Sequence, residues 1–317
     1  MKRWREGAVV AAALVLVLAL PAVAGRFQQY LVLNMLLLAL FALSFNLLFG
    51  TTGLLSFGHA AFYAAGAYVT GLLLRSDTVS LLPAVLAGAL AAGVLAAAIG
   101  VFCVRHTHVY FSMLTLAFGM MVYAVVWKWT DVTGGDDGLI GIPRGPLVVA
   151  GVPLANLNPL PAYFRFAGVL VVLAMYVLYR VSASPFGLVL RGIRENGVRT
   201  EFAGVPVRRY VLLAFVLAGL FAGLAGALVA PLEQTVAPAS AHWTKSAEPV
   251  MATLIGGPLA FAGPIVGAAV YIGLKEIIVR YTTYWLLVFG AGLLAIVLTF
   301  RGGLLGALSR FRGRGTP

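Results

Sequence analysis

Charge is what this chain lacks. Asp, Glu, Lys and Arg make up 10% of its 317 residues, against about 25% in an ordinary soluble domain, while 62% are hydrophobic. That deficit excludes a soluble globular chain. A single cysteine, Cys103, excludes an internal disulfide. The four histidines (His59, His106, His108 and His242) are scattered, so no metal centre is outlined. Gly-x-Ser-x-Gly, His-Glu-x-x-His and facing pairs of acids at depth are all absent, which speaks against a membrane-embedded hydrolase. The lysines are Lys2, Lys128, Lys245 and Lys275, and none follows a glycine. A Walker-type nucleotide loop is therefore missing, and no cofactor is expected.

What is present is a series of nearly uncharged runs, several of them as long as the roughly 20 residues a helix needs to cross a bilayer. They predict an all-α polytopic membrane protein in one domain over 1–317, with about ten spans: 7–24, 30–49, 60–74, 81–104, 110–126, 162–179, 211–230, 248–261, 264–279 and 283–300. Ala22-Val23-Ala24 before Gly25 has the form of a signal-peptidase site, but an uncleaved first helix is the expectation. Gly88, Gly93 and Gly100, and again Gly219, Gly223 and Gly226, form small-residue faces that let helix backbones approach closely in lipid.

Orientation follows from charge. With the N-terminus inside, most of the 22 Lys and Arg fall on cytoplasmic segments, whereas of the 10 acidic residues only Glu6, Glu195 and Glu201 do. Both termini, including the basic tail 301–317, are then cytoplasmic, and the polar loops 127–161 and 231–247 lie outside. The formal net charge of +12 would suggest nucleic acid in a soluble protein; here it reflects Arg-rich inner loops, and no nucleic acid partner is expected.

The densest positive cluster lies at 182–210, with Arg191, Arg194, Arg199, Arg208 and Arg209 opposed by Glu195 and Glu201. Phe186, Leu190 and Ile193 fall at helical spacing, and Val198 and Phe202 repeat the step. Pro185 suits a first turn, and Gly197 and Gly204 suit ends. The pattern predicts two short amphipathic helices joined at Asn196-Gly197, lying at the membrane surface as a docking surface for a soluble partner.

Ion-coupled carriers keep ionisable groups within their spans despite a cost of about 2.5–3.5 kcal/mol each. The candidates here are few: Glu248 at a helix start, and the adjacent Lys275 and Glu276, which read as interfacial residues snorkelling to the surface. A self-sufficient secondary carrier is thus the weaker transport reading. In the stronger one, a separate polypeptide supplies the motor and grips the basic stretch. Gly53-x-Leu55-x-Phe57 and Gly257-x-Leu259-x-Phe261 sit at matching Gly-rich breaks and suggest an internal repeat around a substrate path. Asn46, Ser56, His59, Ser112 and Thr115 are uncharged polar groups at such breaks or at helix centres. They line a path for a zwitterion or bond neighbouring backbone, and residue type leaves both open.

Three segments carry a family resemblance: Tyr110-Phe111-Ser112-Met113-Leu114-Thr115 with Gly119; Thr133-Gly134-Gly135-Asp136-Asp137-Gly138 with Gly141-Ile142-Pro143; and Ser184-Pro185-Phe186-Gly187 through Arg194-Glu195-Asn196 to Ala203-Gly204-Val205. The chain resembles the LivM-type permease subunits of bacterial ABC importers for branched-chain amino acids. The resemblance implies a place in the bacterial inner membrane beside a second, LivH-like permease. It also implies two cytoplasmic ABC ATPases and a periplasmic binding protein that delivers leucine, isoleucine or valine. Relatives in the wider family carry urea, other small amides or other amino acids. ATPase coupling is implied for the segment holding Arg191, Arg194, Glu195, Asn196, Arg199, Glu201 and Gly204. Where the family often has a second acid after Asn, this chain has Gly197, which is expected to loosen the joint. The turn at Asp136 and Asp137 is expected to be structured and to belong to the binding-protein docking surface; an anion nest or calcium-like site is the other reading of its glycines.

Overall fold

The computed structural model describes residues 2–76, 79–106, 108–149, 152–299 and 302–306. It is a helical bundle beginning with α1 (Lys2–Val23), α2 (Arg26–Asn46), α3 (His59–Arg75), α4 (Leu81–Cys103) and α5 (His108–Lys128). After the single turn α6 (Thr130–Thr133) come the strands β1 (Leu139–Ile140), β2 (Pro146–Val149) and β3 (Val152–Asn156). Then follow α7 (Leu160–Ala183), α8 (Pro185–Phe202), α9 (Val207–Glu233), β4 (Thr235–Val236), α10 (Trp243–Gly256), α11 (Gly263–Tyr281) and α12 (Trp285–Thr299). Each of the ten apolar runs lies mostly on a helix. Five helical stretches are long and apolar enough to cross a membrane: Arg26–Thr52, Leu81–Cys103, His108–Lys128, Leu160–Ala183 and Val207–Glu233. Gly7–Val23 and Leu286–Ala295 are shorter apolar stretches.

The bundle is organised around α9. Its small-residue face meets α4 and α3 so closely that a Cβ at Gly219 or Gly223 would strike the side chain of Ala96 or Ala92, and one at Gly226 would strike the Tyr63 carbonyl. Without a hydrophobic drive between helices in lipid, such contact is what holds them together. Of the α4 glycines, Gly88 meets Gly66 and Thr70 in the same way, while Gly93 has only ordinary contact with Leu220. α2 packs on α7, α9, α10 and α11. α10 and α11 touch backbone to backbone through Gly256, Gly263 and Gly267. α12 leans on α11 through Phe289 and Tyr271, edge to face at 4.9 Å. α1 seats Val17 against Gly168 of α7, so it packs as a member of the bundle.

Two boundaries differ from the sequence expectation. α9 runs on to Glu233, and α10 starts at Trp243 with His242 as its cap, its Nδ1 lying 2.9 Å from Thr244 Oγ1. The supposed loop 231–247 therefore shrinks to 234–242, and Pro249 lies inside α10 as its seventh residue, where it supplies no amide hydrogen. The segment 50–59, the Gly-rich break after the second span, is folded into the bundle, with Thr51, Thr52, Ser56 and His59 buried. Arg301 and 307–317, most of the expected basic tail, lie outside the described residues.

Candidate functional site

The basic stretch forms α8 and folds back under the bundle. Ser184 closes α7 by donating its hydroxyl to the Val181 carbonyl (2.7 Å), and Pro185 opens α8 in the first turn, where no amide hydrogen is needed. Leu190 is buried, and Phe186 stacks on Tyr210 of α9 at 5.7 Å, fixing α8 to the bundle. The expected joint is present, but its agent is Asn196, not Gly197. Asn196 leaves the helix (φ −160°, ψ 98°) and caps the turn that follows, its side-chain oxygen accepting from the Arg199 amide at 2.9 Å. Gly197 is the first residue of that turn, so the joint is held by a cap, not loosened by a glycine. Gly204, at φ 84°, ends α8 with the amides of Gly204 and Val205 returning to the carbonyls of Glu201 and Thr200. Glu195, Arg199 and Glu201 are exposed.

Arg194 makes the contact that joins this hook to the bundle. Its guanidinium donates to the carbonyl of Gly50, and its aliphatic stem lies against Gly53. Gly50 belongs to a π-helical turn, Leu47–Thr52, that ends α2, and Gly53 terminates it in the left-handed region at φ 81°. A Cβ on Gly50 would run into the Asn46 side chain and the Pro258 carbonyl. The two glycine breaks singled out in the sequence thus touch each other, and α8 holds the first of them through Arg194. Arg191 donates to the Ser182 carbonyl at 2.9 Å. A cavity of about 490 Å³ opens between hook and breaks, lined by Asn46, Gly50, Arg191, Arg194, Glu195 and Pro258.

The five polar residues expected near the breaks are all buried. Ser112 donates to the Leu55 carbonyl (2.7 Å), and Thr115 donates to Ser112 O (2.9 Å) while accepting from the Phe57 amide (3.3 Å). These two supply partners to the irregular chain between α2 and α3. His59 Nε2 lies 3.0 Å from Ser44 Oγ, and its ring is enclosed by Phe41, Phe45 and Phe62. Among the described residues, Ser56 Oγ, His59 Nδ1 and Asn46 Oδ1 have no hydrogen-bond partner. Asn46 alone of the five borders one of the cavities described here.

At the opposite end, the two long loops are stitched together. β1 pairs antiparallel with β4, Leu139 opposite Val236 and Ile140 opposite Thr235. Asp136 and Asp137 stand exposed beside this ribbon, with Asp136 accepting from the Trp127 indole at 3.2 Å. Gly134, Gly135 and Gly138, all at positive φ, build the turn, and among the described residues no metal-ligating cluster exists. Arg144 clamps the end of α9 by donating to the carbonyls of Pro231 (3.1 Å) and Leu232 (3.3 Å). Burial draws that guanidinium below its ordinary pKa, with Tyr163 opposing the shift.

Below the ribbon lies a charged cavity of about 270 Å³ between α2, α3, α9, α10 and α11. Lys245 and Glu248 form an ion pair at 2.7 Å within α10, and the Lys245 ammonium stands 5.1 Å from the centre of the Tyr63 ring. Tyr30, Asn34, Glu233, Tyr271 and Lys275 add to its polar lining, and a wider space of about 700 Å³ continues from it toward β4. Glu276, at the rim, pairs with Arg280 at 3.1 Å. Sequence reasoning noticed Glu248, Lys275 and Glu276 but passed over Glu233 and Lys245, which read as loop residues. The available signal was the helical spacing of Lys245 and Glu248.

The comparisons agree with this architecture. A family model described as branched-chain amino acid transport system / permease component matches residues 27–298. The chain is 28% identical to the high-affinity branched-chain amino acid transport system permease protein LivM of Escherichia coli K12, covering 92% of this chain and 72% of that protein. It is 26% identical, with the same coverage, to LivM of Salmonella typhimurium. A probable branched-chain amino acid transport permease protein LivH of Methanocaldococcus jannaschii is 26% identical over 81% of each chain. No solved structure matches the chain.

Proposed function

The chain belongs to the branched-chain amino acid transport system permease family, and on that premise we propose that it is the LivM-type membrane subunit of an ATP-driven, binding-protein-dependent importer of leucine, isoleucine and valine. It works beside a homologous LivH-like permease; two ATPases seat on the α8 end, and the binding protein docks on the ribbon that carries Asp136 and Asp137. The α8 end faces the cytoplasm of a bacterial inner membrane, as do both termini, and ten helices cross the bilayer. The charge distribution supports that orientation.

The observation that carries the coupling is the Arg194 contact with Gly50. An exposed helix rigidly tied to the irregular end of a buried one can pass a domain movement inward. When the ATPases close, α8 shifts as a body. Arg194 then pulls on the π-helical turn, and the Gly50–Pro258 contact carries the movement to α10 and α11. A π-turn and a glycine break suit such a joint, since both depart from regular helical hydrogen bonding at low local cost.

The test is reconstitution of the four-component membrane complex in proteoliposomes, with ATP inside and loaded binding protein outside. Uptake of leucine, isoleucine and valine that requires the ATPases is expected. Leucine uptake by this chain alone would overturn the reading, and so would an assembled complex that moves urea and ignores leucine.

A further inference from the structure

We propose that the charged cavity under the ribbon is a transit site for the amino acid itself, with the α-ammonium group on Glu233, the α-carboxylate between Lys245 and Lys275, and the aliphatic side chain against Leu37, Leu38, Phe41 and Ile272. The inference deepens the importer reading and rests on it.

Ionisable groups inside a helical bundle are costly and mark a task. Two ordinary tasks fit poorly here. Ion coupling is unnecessary in a transporter driven by ATPase partners. Holding the bundle together accounts for the Lys245 contact with the Tyr63 ring of α3 but not for Glu248, whose partner Lys245 lies three residues away on its own helix. Lys245 keeps 27% of its side chain accessible and Glu248 keeps 21%, through the cavity they border. Three different helices deliver the charges: Glu233 from α9, Lys245 and Glu248 from α10, and Lys275 from α11. Acids and bases thus meet across one small space.

The chemistry selects its occupant. Both signs of charge in one chamber, Lys245 and Lys275 beside Glu233, Glu248 and Glu276, suit a zwitterion better than a lone anion or cation. Apolar side chains, Leu37, Leu38 and Phe41 of α2 and Ile272 of α11, stand among the charged groups of the same lining. A few converging polar groups set in an apolar pocket are the usual form of a small-molecule site. A chamber of about 270 Å³ lies just below the usual range of about 300–1,000 Å³, suited to one amino acid and not to a peptide. It opens toward β4, the side on which delivery is proposed, through the wider space that shares Tyr63, Glu233 and Lys245.

The experiment uses the reconstituted complex and two kinds of variant. Glu233→Gln should lower the initial rate of leucine uptake about tenfold or more, with the complex still assembling, still hydrolysing ATP and still binding the loaded binding protein. Ile272→Ala enlarges the apolar wall and should shift the leucine-to-phenylalanine ratio of kcat/KM toward phenylalanine by about threefold or more, since one methylene in an apolar pocket is worth at least that much. A merely structural cavity would not move that ratio. Unchanged uptake in Glu233→Gln, or an unchanged ratio in Ile272→Ala, overturns the assignment. Should Glu233→Gln not assemble, the ratio alone decides. Failure of the wild-type complex to move leucine would count against the importer reading, not against this site in particular.

Discussion

The two ends of the molecule handle charge in opposite ways. At the α8 end, arginines bond to neutral backbone: Arg194 to the Gly50 carbonyl and Arg191 to Ser182. Their charge is not neutralised by those contacts, so it remains on offer to an acidic partner. At the ribbon end, charges answer one another, Lys245 to Glu248 beside the chamber and Arg280 to Glu276 at its rim. The first arrangement suits a surface that is gripped, the second a chamber that holds something of both signs. The difference also separates two failures that a transport assay alone confuses, loss of drive and loss of the solute's path.

Breaking the α8 end at its tightest point should have the largest effect. Gly50→Val places a side chain against the Pro258 carbonyl and Asn46, an overpacking worth about 1–3 kcal/mol or more because backbone is what must yield. Transport should be abolished and the melting temperature of the purified complex lowered; wild-type uptake would show that the two breaks need not touch. Next comes Arg194→Ala, expected to cut uptake about tenfold while membrane insertion and ATPase docking persist, because the hook stays exposed but loses its hold on the π-turn. If ATP turnover and uptake remain coupled in that variant, the hook does not act through Gly50. Arg194→Lys should recover only part of the loss, a point charge replacing a planar fork.

Smaller effects sharpen the picture. Asn196→Ala removes a helix cap worth ~1 kcal/mol, so coupling efficiency should fall severalfold, while Asn196→Asp keeps the cap and should stay near wild type in uptake per ATP hydrolysed. Thr115→Val deprives the Phe57 amide of its acceptor, and a loss of about 1 kcal/mol in thermal stability is expected, with uptake nearly unchanged. If uptake falls steeply there, Thr115 has a part in the path beyond supporting backbone. Smallest of all, Gly197→Asp has open space around its new side chain and adds an acid at a helix start, a gain of ~0.3–1 kcal/mol readable as a modest rise in melting temperature.

Much of this was legible in the chain. The apolar runs, the break at Asn196, the small-residue face of α9 and the paired glycine interruptions all announce themselves, because each is a local pattern with a local cause. Less legible was the fate of 50–59. Its glycines signalled a break, but burial of that irregular backbone depends on distant partners, Ser112 and Thr115 some 57 residues away and Arg194 on the Gly50 carbonyl. Glu233 and Lys245 were missed for a related reason: one ends a helix and the other begins the next, positions that in a linear reading look like loop.

Composition and spacing by themselves determined that this is a membrane-embedded helical bundle, since hydrophobic length needs no partner to be read. Tertiary structure alone decided which break Arg194 holds, that the two glycine interruptions meet, and that five scattered charges share one chamber. Those are distances between residues far apart in the chain, and they exist only once α9 has drawn its neighbours in closely enough to bring them together.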